Sequence, residues 1–223
     1  MSKILLVRHG ETKWNRSGLI QGAADIALST QGRNQITCLA EMLSGISSHG
    51  CFVLSSDARR CRSSARVIAQ RIGLKPIFTP KLREVDFGTW TGHKISELRS
   101  CRKERAAWDS MSPTYVWDGG ESFRMAHQRA EEHIRRFRLA HRPKILVVVT
   151  HGVIAQLLIS WWLTGALDRA NRFSVSNGSL CILDFPANSH VRLLAANVVA
   201  SEGFKDATQF LTKFCFNQIG EFL

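Results

Sequence analysis

Two histidines sit where chemistry is easiest to place. His9 follows the apolar run Ile4-Leu5-Leu6-Val7 and Arg8, and His151 follows Ile145-Leu146-Val147-Val148-Val149-Thr150; a glycine comes directly after each. An apolar run that stops abruptly at polar residues reads as a buried strand ending at a working surface, and in open α/β sheets ligands bind outside the carboxyl ends of the strands. Arg8 stands beside the first histidine, and Arg60 and Glu84 add a guanidinium and a carboxyl group from elsewhere in the chain. Such groups can attack, bind anions and move protons. Singly, each also has an ordinary structural explanation as a strand-end cap, a solvated helix arginine or a loop carboxylate.

The composition bounds what these residues can serve. The chain has 223 residues, 44% hydrophobic and 22% charged, which fits a single globular domain over 1–223 with a full core. A formal net charge of +12 attracts anions such as phosphorylated metabolites, nucleic acid or an acidic membrane face. The arginines are scattered and form no basic block of the nucleic-acid kind. The cysteines at 38, 51, 61, 101, 181 and 215 form no CxxC pair and have no metal-ligand spacing. Buried thiols in a reducing compartment, with no metal, are expected. The most apolar stretch, Val153–Leu163, is broken by Gln156 and Ser160 and falls short of the roughly 20 residues that span a bilayer. The first apolar run is too short for a signal segment. A soluble, cytoplasmic protein is expected.

The elements that must position the candidates alternate. Strands are predicted at Lys3–Val7, Phe52–Ser55, Pro76–Thr79, Lys144–Thr150, Leu180–Phe185 and Val191–Ala195. Ser29 is a good N-cap for a helix to about Leu43. A second helix is predicted from Asp57 to Ile72, and a charged one through about Trp108. Another follows Asp118-Gly119-Gly120-Glu121-Ser122, with Phe123, Ala126, Ala130, Ile134 and Phe137 on its apolar face. An apolar helix starts directly after His151. The order of strands and helices predicts an α/β three-layer sandwich, a mostly parallel central sheet with helices on both faces. The amphipathic segment 203–223 is predicted to be a docked C-terminal helix or, alternatively, a dimer contact.

Five blocks in order carry a family resemblance over nearly the whole chain. Arg8-His9-Gly10-Glu11-Thr12 with Trp14-Asn15 resembles the signature of the histidine phosphatase superfamily, the phosphoglycerate mutase-like proteins. Ser55-Ser56-Asp57-Ala58-Arg59-Arg60-Cys61-Arg62-Ser63-Ser64-Ala65 is similar to its second block. Leu82-Arg83-Glu84-Val85-Asp86-Phe87-Gly88 is similar to the block carrying its acid. Gly119-Gly120-Glu121-Ser122 and Val148-Val149-Thr150-His151-Gly152-Val153 complete the series. Many relatives carry Leu and Thr where this chain has Ala58 and Ser64. The choice of Arg60 over Arg59 and Arg62 rests on its place four residues before Ser64.

The resemblance implies a phosphomonoester hydrolase acting through a phosphohistidine on a small phosphorylated metabolite, without a cofactor. His9 is implied as the nucleophile, kept neutral by neighbouring guanidinium groups. Arg8, Arg60 and His151 would hold the phosphate oxygens, and Glu84 would give a proton to the leaving oxygen and later take one from water. Thr12, Asn15, Gln21, Gly22 and Gly152 are the expected substrate contacts. The short, lid-like segment between Glu84 and Gly120 looks like that of broad-specificity or α-ribazole phosphatases, although it contains Arg99, Arg102, Lys103 and Arg105. The alternatives are a 2,3-bisphosphoglycerate-dependent phosphoglycerate mutase and, in another class, a non-catalytic protein binding a phosphorylated ligand or nucleic acid. No membrane partner is expected, nucleic acid is disfavoured, and a homodimer is left open.

Overall fold

The computed structural model describes residues 2–200. The segment 203–223, and with it the expected C-terminal helix, lies outside the described residues. Six strands form one sheet: β1 (Ser2–Arg8), β2 (Cys51–Ser56), β3 (Pro76–Thr79), β4 (Ile145–Thr150), β5 (Ser179–Phe185) and β6 (Arg192–Val199). Their order is β3-β2-β4-β1-β5-β6. The first four are parallel, whereas β5 runs antiparallel to β1 and β6 antiparallel to β5. The expected mostly parallel sheet is present, with an antiparallel hairpin on one edge.

Helices cover both faces. On one side lie α2 (Thr30–Met42) and α3 (Arg59–Arg71), and on the other α5 (Phe123–His141) and α6 (Gly152–Thr164). The alternation of β1 divides its side chains between two cores. Ile4 and Leu6 pack with the buried faces of α5 and α6, while Leu5 and Val7 pack with those of α2 and α3. Burial on both faces is why β1 and β4 read as unbroken apolar runs. The five apolar positions foreseen on α5 are all buried. Ser29 caps α2 by accepting from the Gly32 amide, and Ser122 caps α5 by accepting from the Met125 amide. Two short helices, α1 (Lys13–Arg16) and α4 (Arg102–Asp109), lie in the connections. Among the described residues no helix is long and apolar enough to cross a membrane.

Two boundaries differ from expectation by more than one residue. The α3 helix begins two residues late because Ser56 Oγ accepts from the Ala58 amide, and the Arg59 amide is satisfied by Asp25 Oδ1 at 2.7 Å. That cap comes from a distant loop. The β6 strand runs on to Val199, past shifts in register and a left-handed Asn197 with φ +49°; the irregularity breaks the alternation that would have marked it.

The topology does one thing for function above all. β1 and β4 are neighbours, with Arg8 opposite Thr150, and the His9 amide donates to the Thr150 carbonyl at 3.0 Å. Two adjacent parallel strands therefore deliver both histidines to the same end of the sheet.

Candidate active site

His9 is 2% exposed. Its Nδ1 lies 2.7 Å from the Gly10 carbonyl oxygen, which can only accept, so Nδ1 carries the proton and Nε2 keeps its lone pair. Burial first, and then the Arg60 and Arg8 guanidinium groups, hold the imidazole pKa well below its ordinary value. The neutral state expected from sequence is thus favoured, with desolvation the larger cause. The His9 carbonyl accepts from the Gly178 amide and from Asn177 Nδ2, which fixes the turn after β1.

His151 is fully buried, and its ring centroid lies 5.2 Å from that of His9, edge to face at 69°. Its Nδ1 accepts from Arg60 Nε at 3.1 Å, so the proton sits on Nε2, which donates to Ser56 Oγ at 2.9 Å. Burial, then Arg60 and His9, press its pKa well below the usual range. Cys61 lies beside this ring with its thiol pushed up to about 12, chiefly by burial, which makes it inert at neutral pH.

The two guanidinium groups arrive from opposite faces of the sheet. Arg8 continues the parity of Ile4 and Leu6 toward α6, and it lies against Gly152, where an added Cβ would come within 3.1 Å of Arg8 Cζ. Its NH1 donates to the Val175 carbonyl at 2.7 Å, while its Nε is buried with no partner. Arg60, on α3, is 1% exposed. It holds the loop before α2 through the Gly22 and Ala24 carbonyls while it contacts His151. Arg59 and Arg62 are exposed. Ser64 donates to the Arg60 carbonyl and accepts from the Gly10 amide, so it ties α3 to the turn that carries His9.

Glu84 is held at the start of α6. Its carboxylate accepts from the Val153 and Ile154 amides, both at 3.2 Å, two of the donors that a helix leaves unsatisfied at its N-terminus. The segment that carries it is clamped from both sides. Thr150 Oγ1 donates to the Leu82 carbonyl, and Arg129 on α5 donates to the carbonyls of Lys81, Arg83 and Glu84. Arg129 is itself paired with Glu121, whose backbone amide and carboxylate engage Asp86. The Gly119-Gly120 pair permits this: an added Cβ on Gly120 would fall 2.2 Å from the Asp86 carbonyl oxygen.

A cavity of about 220 Å³ opens onto Arg8, His9, Arg60 and Glu84, with Asn15, Gln21, Gly22 and Gly152 also in its lining. His151 does not line it; it stands behind His9 and Arg60. Thr12, expected to contact substrate, does not line it either. It is the N-cap of α1: its hydroxyl accepts from the Asn15 amide and its own amide donates to Asn15 Oδ1. The Thr-x-x-Asn spacing was a sequence signal for that cap. Ser56, Asn177 and Arg129 escaped the sequence reading. Ser56 belongs to the second of the five blocks, but nothing in the sequence points to Asn177 or Arg129, since both work on backbone carbonyls. Among the described residues no group of three or more His, Cys, Asp or Glu is placed to hold a metal ion.

Residues 4–198 match the model of the histidine phosphatase superfamily (branch 1). The chain is 28% identical over 204 residues to phosphoserine phosphatase 1 of Hydrogenobacter thermophilus, covering 91% of this chain and 95% of that one. It is 35% identical over 162 residues to phosphoglycerate mutase-like protein 4 of Arabidopsis thaliana, covering 70% and 69% respectively. The crystal structure of the α-ribazole phosphatase from Shigella flexneri superposes with a TM-score of 0.77 at 27% identity, over 88% of this chain and 96% of that one. The fold, the phosphatase-type chemistry and the family resemblance expected from sequence all stand, and the chain belongs to the histidine phosphatase superfamily.

Proposed function

We propose that the chain hydrolyses phosphomonoesters with His9 Nε2 as the nucleophile. The observation that carries this reading is the single orientation of the His9 ring, with Nδ1 donating to the Gly10 carbonyl and the ring kept neutral between two guanidinium groups. A neutral imidazole fixed in this tautomer has one lone pair to give, on Nε2. Arg8 and Arg60 neutralise the non-bridging oxygens, and the unpaired Arg8 Nε gains a partner when the anion arrives. Nε2 attacks phosphorus, the phosphorus–oxygen bond to the alcohol breaks, and protonated Glu84 gives its proton to the leaving oxygen. Water then attacks the phosphohistidine and gives its proton to Glu84, and the phosphorus–nitrogen bond breaks. Both enzyme groups return to their starting states. Gln21, Gly22, Asn15 and Gly152 border the substrate, and His151 acts through Arg60 and the His9 ring.

Hydrolysis is favoured over the mutase reaction by the lining. A mutase must grip the carboxylate and second phosphate of a sugar acid. Here Arg99, Arg102, Lys103 and Arg105 are exposed and none borders the cavity. The test is turnover of p-nitrophenyl phosphate with EDTA present. Release of inorganic phosphate is expected, without transfer to 3-phosphoglycerate. Efficient bisphosphoglycerate-dependent mutase activity, or loss of turnover on chelation, contradicts this proposal.

A further inference from the structure

The geometry points to the class of alcohol that leaves: an uncharged one that presents an apolar or ring face, and not an amino acid or a sugar acid. This rests on the hydrolase reading above. Beyond the phosphate-binding end, the cavity is walled by Ile20, Phe87, Ile95, Trp108, Val153 and Val175. Its polar lining there is neutral, from Asn15, Gln21 and Gln156, and Gln156 Nε2 is already committed to the Phe173 carbonyl. Among the described residues that border it, Arg8 and Arg60 are the only cations, and both face the phosphate end.

Of the other ionisable groups, His9 is neutral, and Glu84 brings no positive charge and takes the sign of a substrate carboxylate once it has given up its proton. A carboxylate on the leaving group would lose water against an apolar wall, gain no cation and, once the proton is given, face ionised Glu84. The wall cannot easily swing away. Trp108 is 5.5 Å from Phe87 and 6.2 Å from Trp117 between ring centroids, and Trp117, which is 1% exposed, is packed against Phe87 at 5.1 Å. About 220 Å³ is also small beside the ~300–1,000 Å³ of typical ligand clefts, and in the cavity of about 190 Å³ that shares Gly22, Arg60 and Glu84 with it the one further cation among the described residues, Arg83, is paired with Asp57. The names of phosphoserine- and sugar-acid-acting relatives are therefore poor guides to this chain's substrate. Ile95 and Trp108 are its specificity-determining residues.

The experiment compares three primary-alcohol esters, so that leaving-group acidity does not decide the order: 2-phenylethyl phosphate, phosphoserine and 3-phosphoglycerate, with p-nitrophenyl phosphate as a common reference. Wild type is expected to show kcat/KM at least about tenfold higher for the phenylethyl ester than for either acid. Ile95→Lys places a cation at the mouth from a residue that is 43% exposed, so the fold tolerates it. It is expected to raise kcat/KM for 3-phosphoglycerate about tenfold while lowering that for the phenylethyl ester. Trp108→Ala is expected to move the ratio of the two toward one. If phosphoserine or 3-phosphoglycerate is the better wild-type substrate while p-nitrophenyl phosphate is hydrolysed, the leaving-group assignment falls and the hydrolase reading stands. If Ile95→Lys leaves the ratio unchanged, the assignment of the wall falls. If no ester releases phosphate, the hydrolase reading itself is overturned and this proposal with it.

Discussion

The ends of β1 and β4 look alike in sequence and differ in what they leave available. Each is an apolar strand running into His-Gly, and each ring is buried and neutral. At the end of β1 a backbone carbonyl takes the Nδ1 proton, and Nε2 is left with its lone pair at the cavity. At the end of β4 both ring nitrogens are occupied, one by Arg60 and one by Ser56, and the ring stands behind the cavity wall. Burial and charge suppress the imidazolium in both; hydrogen bonding decides which imidazole can attack. The perturbation of a histidine pKa alone would not have distinguished them.

That contrast can be broken most severely at His9. His9→Ala should lower turnover by roughly 10³-fold or more and abolish covalent labelling, since among the described residues no second histidine and no thiol, hydroxyl or amine side chain lines the cavity. His151→Ala should slow turnover by roughly 10²-fold while His9 still becomes labelled, because only the support of Arg60 and of the His9 ring is lost. Label that survives His9→Ala and vanishes with His151→Ala would exchange the roles.

Arg129→Lys tests the acid without touching either histidine. A lysine keeps the charge but cannot span three carbonyls. Turnover of 2-phenylethyl phosphate should fall about tenfold and that of p-nitrophenyl phosphate much less, because a good leaving group needs little proton assistance. Equal losses on both would mean that Arg129 is only a structural clamp.

Protonation sharpens the comparison from the other side. The NMR signals of His9 and His151 should show no titration near the ordinary ~6.5 and should change only at lower pH. His127, held at about 4 by burial, should behave the same way. In the window between ~6.5 and these lowered values the unfolded chain binds protons that the folded chain refuses, so stability rises with pH there. The urea midpoint should therefore be lower at pH 5 than at pH 7, and a higher midpoint at pH 5 would contradict the assigned neutrality. The smallest effect belongs to Thr12→Val, which should cost about 1 kcal/mol through the lost cap and leave kcat nearly unchanged. A large fall in kcat would restore Thr12 as a substrate contact.

Much of this was legible in the chain because local rules and spacing carry it. The strand ends, the Ser29 cap and the apolar face of α5 follow from patterns within a few residues. The choice of Arg60 rests on the family resemblance, which spaces its arginine four residues before the position of Ser64, and the neighbours Arg59 and Arg62 do face solvent. What stayed hidden depends on side chains that meet backbone far away. Arg129 reads as one more charge on an amphipathic helix, yet its partners are carbonyls 45 to 48 positions distant. The late start of α3 is set by Asp25 from another loop. Thr12 lies inside the signature, yet its spacing to Asn15 is that of a helix cap, which is the part it takes in the structure. Nor does a pattern of residue types disclose tautomers: the separation between His9 and His151 lies in which atoms meet, and it appears only once β1 and β4 are side by side.

The central claim is that His9 Nε2 takes the phosphoryl group. Brief reaction with a labelled phosphomonoester, a quench at alkaline pH and peptide mapping with phosphorus NMR tests it most directly. The expected result is an acid-labile label on the peptide containing His9, with phosphorus on Nε2. Label on His151, phosphorus on Nδ1 of His9, or turnover with no phosphohistidine at all would contradict the claim.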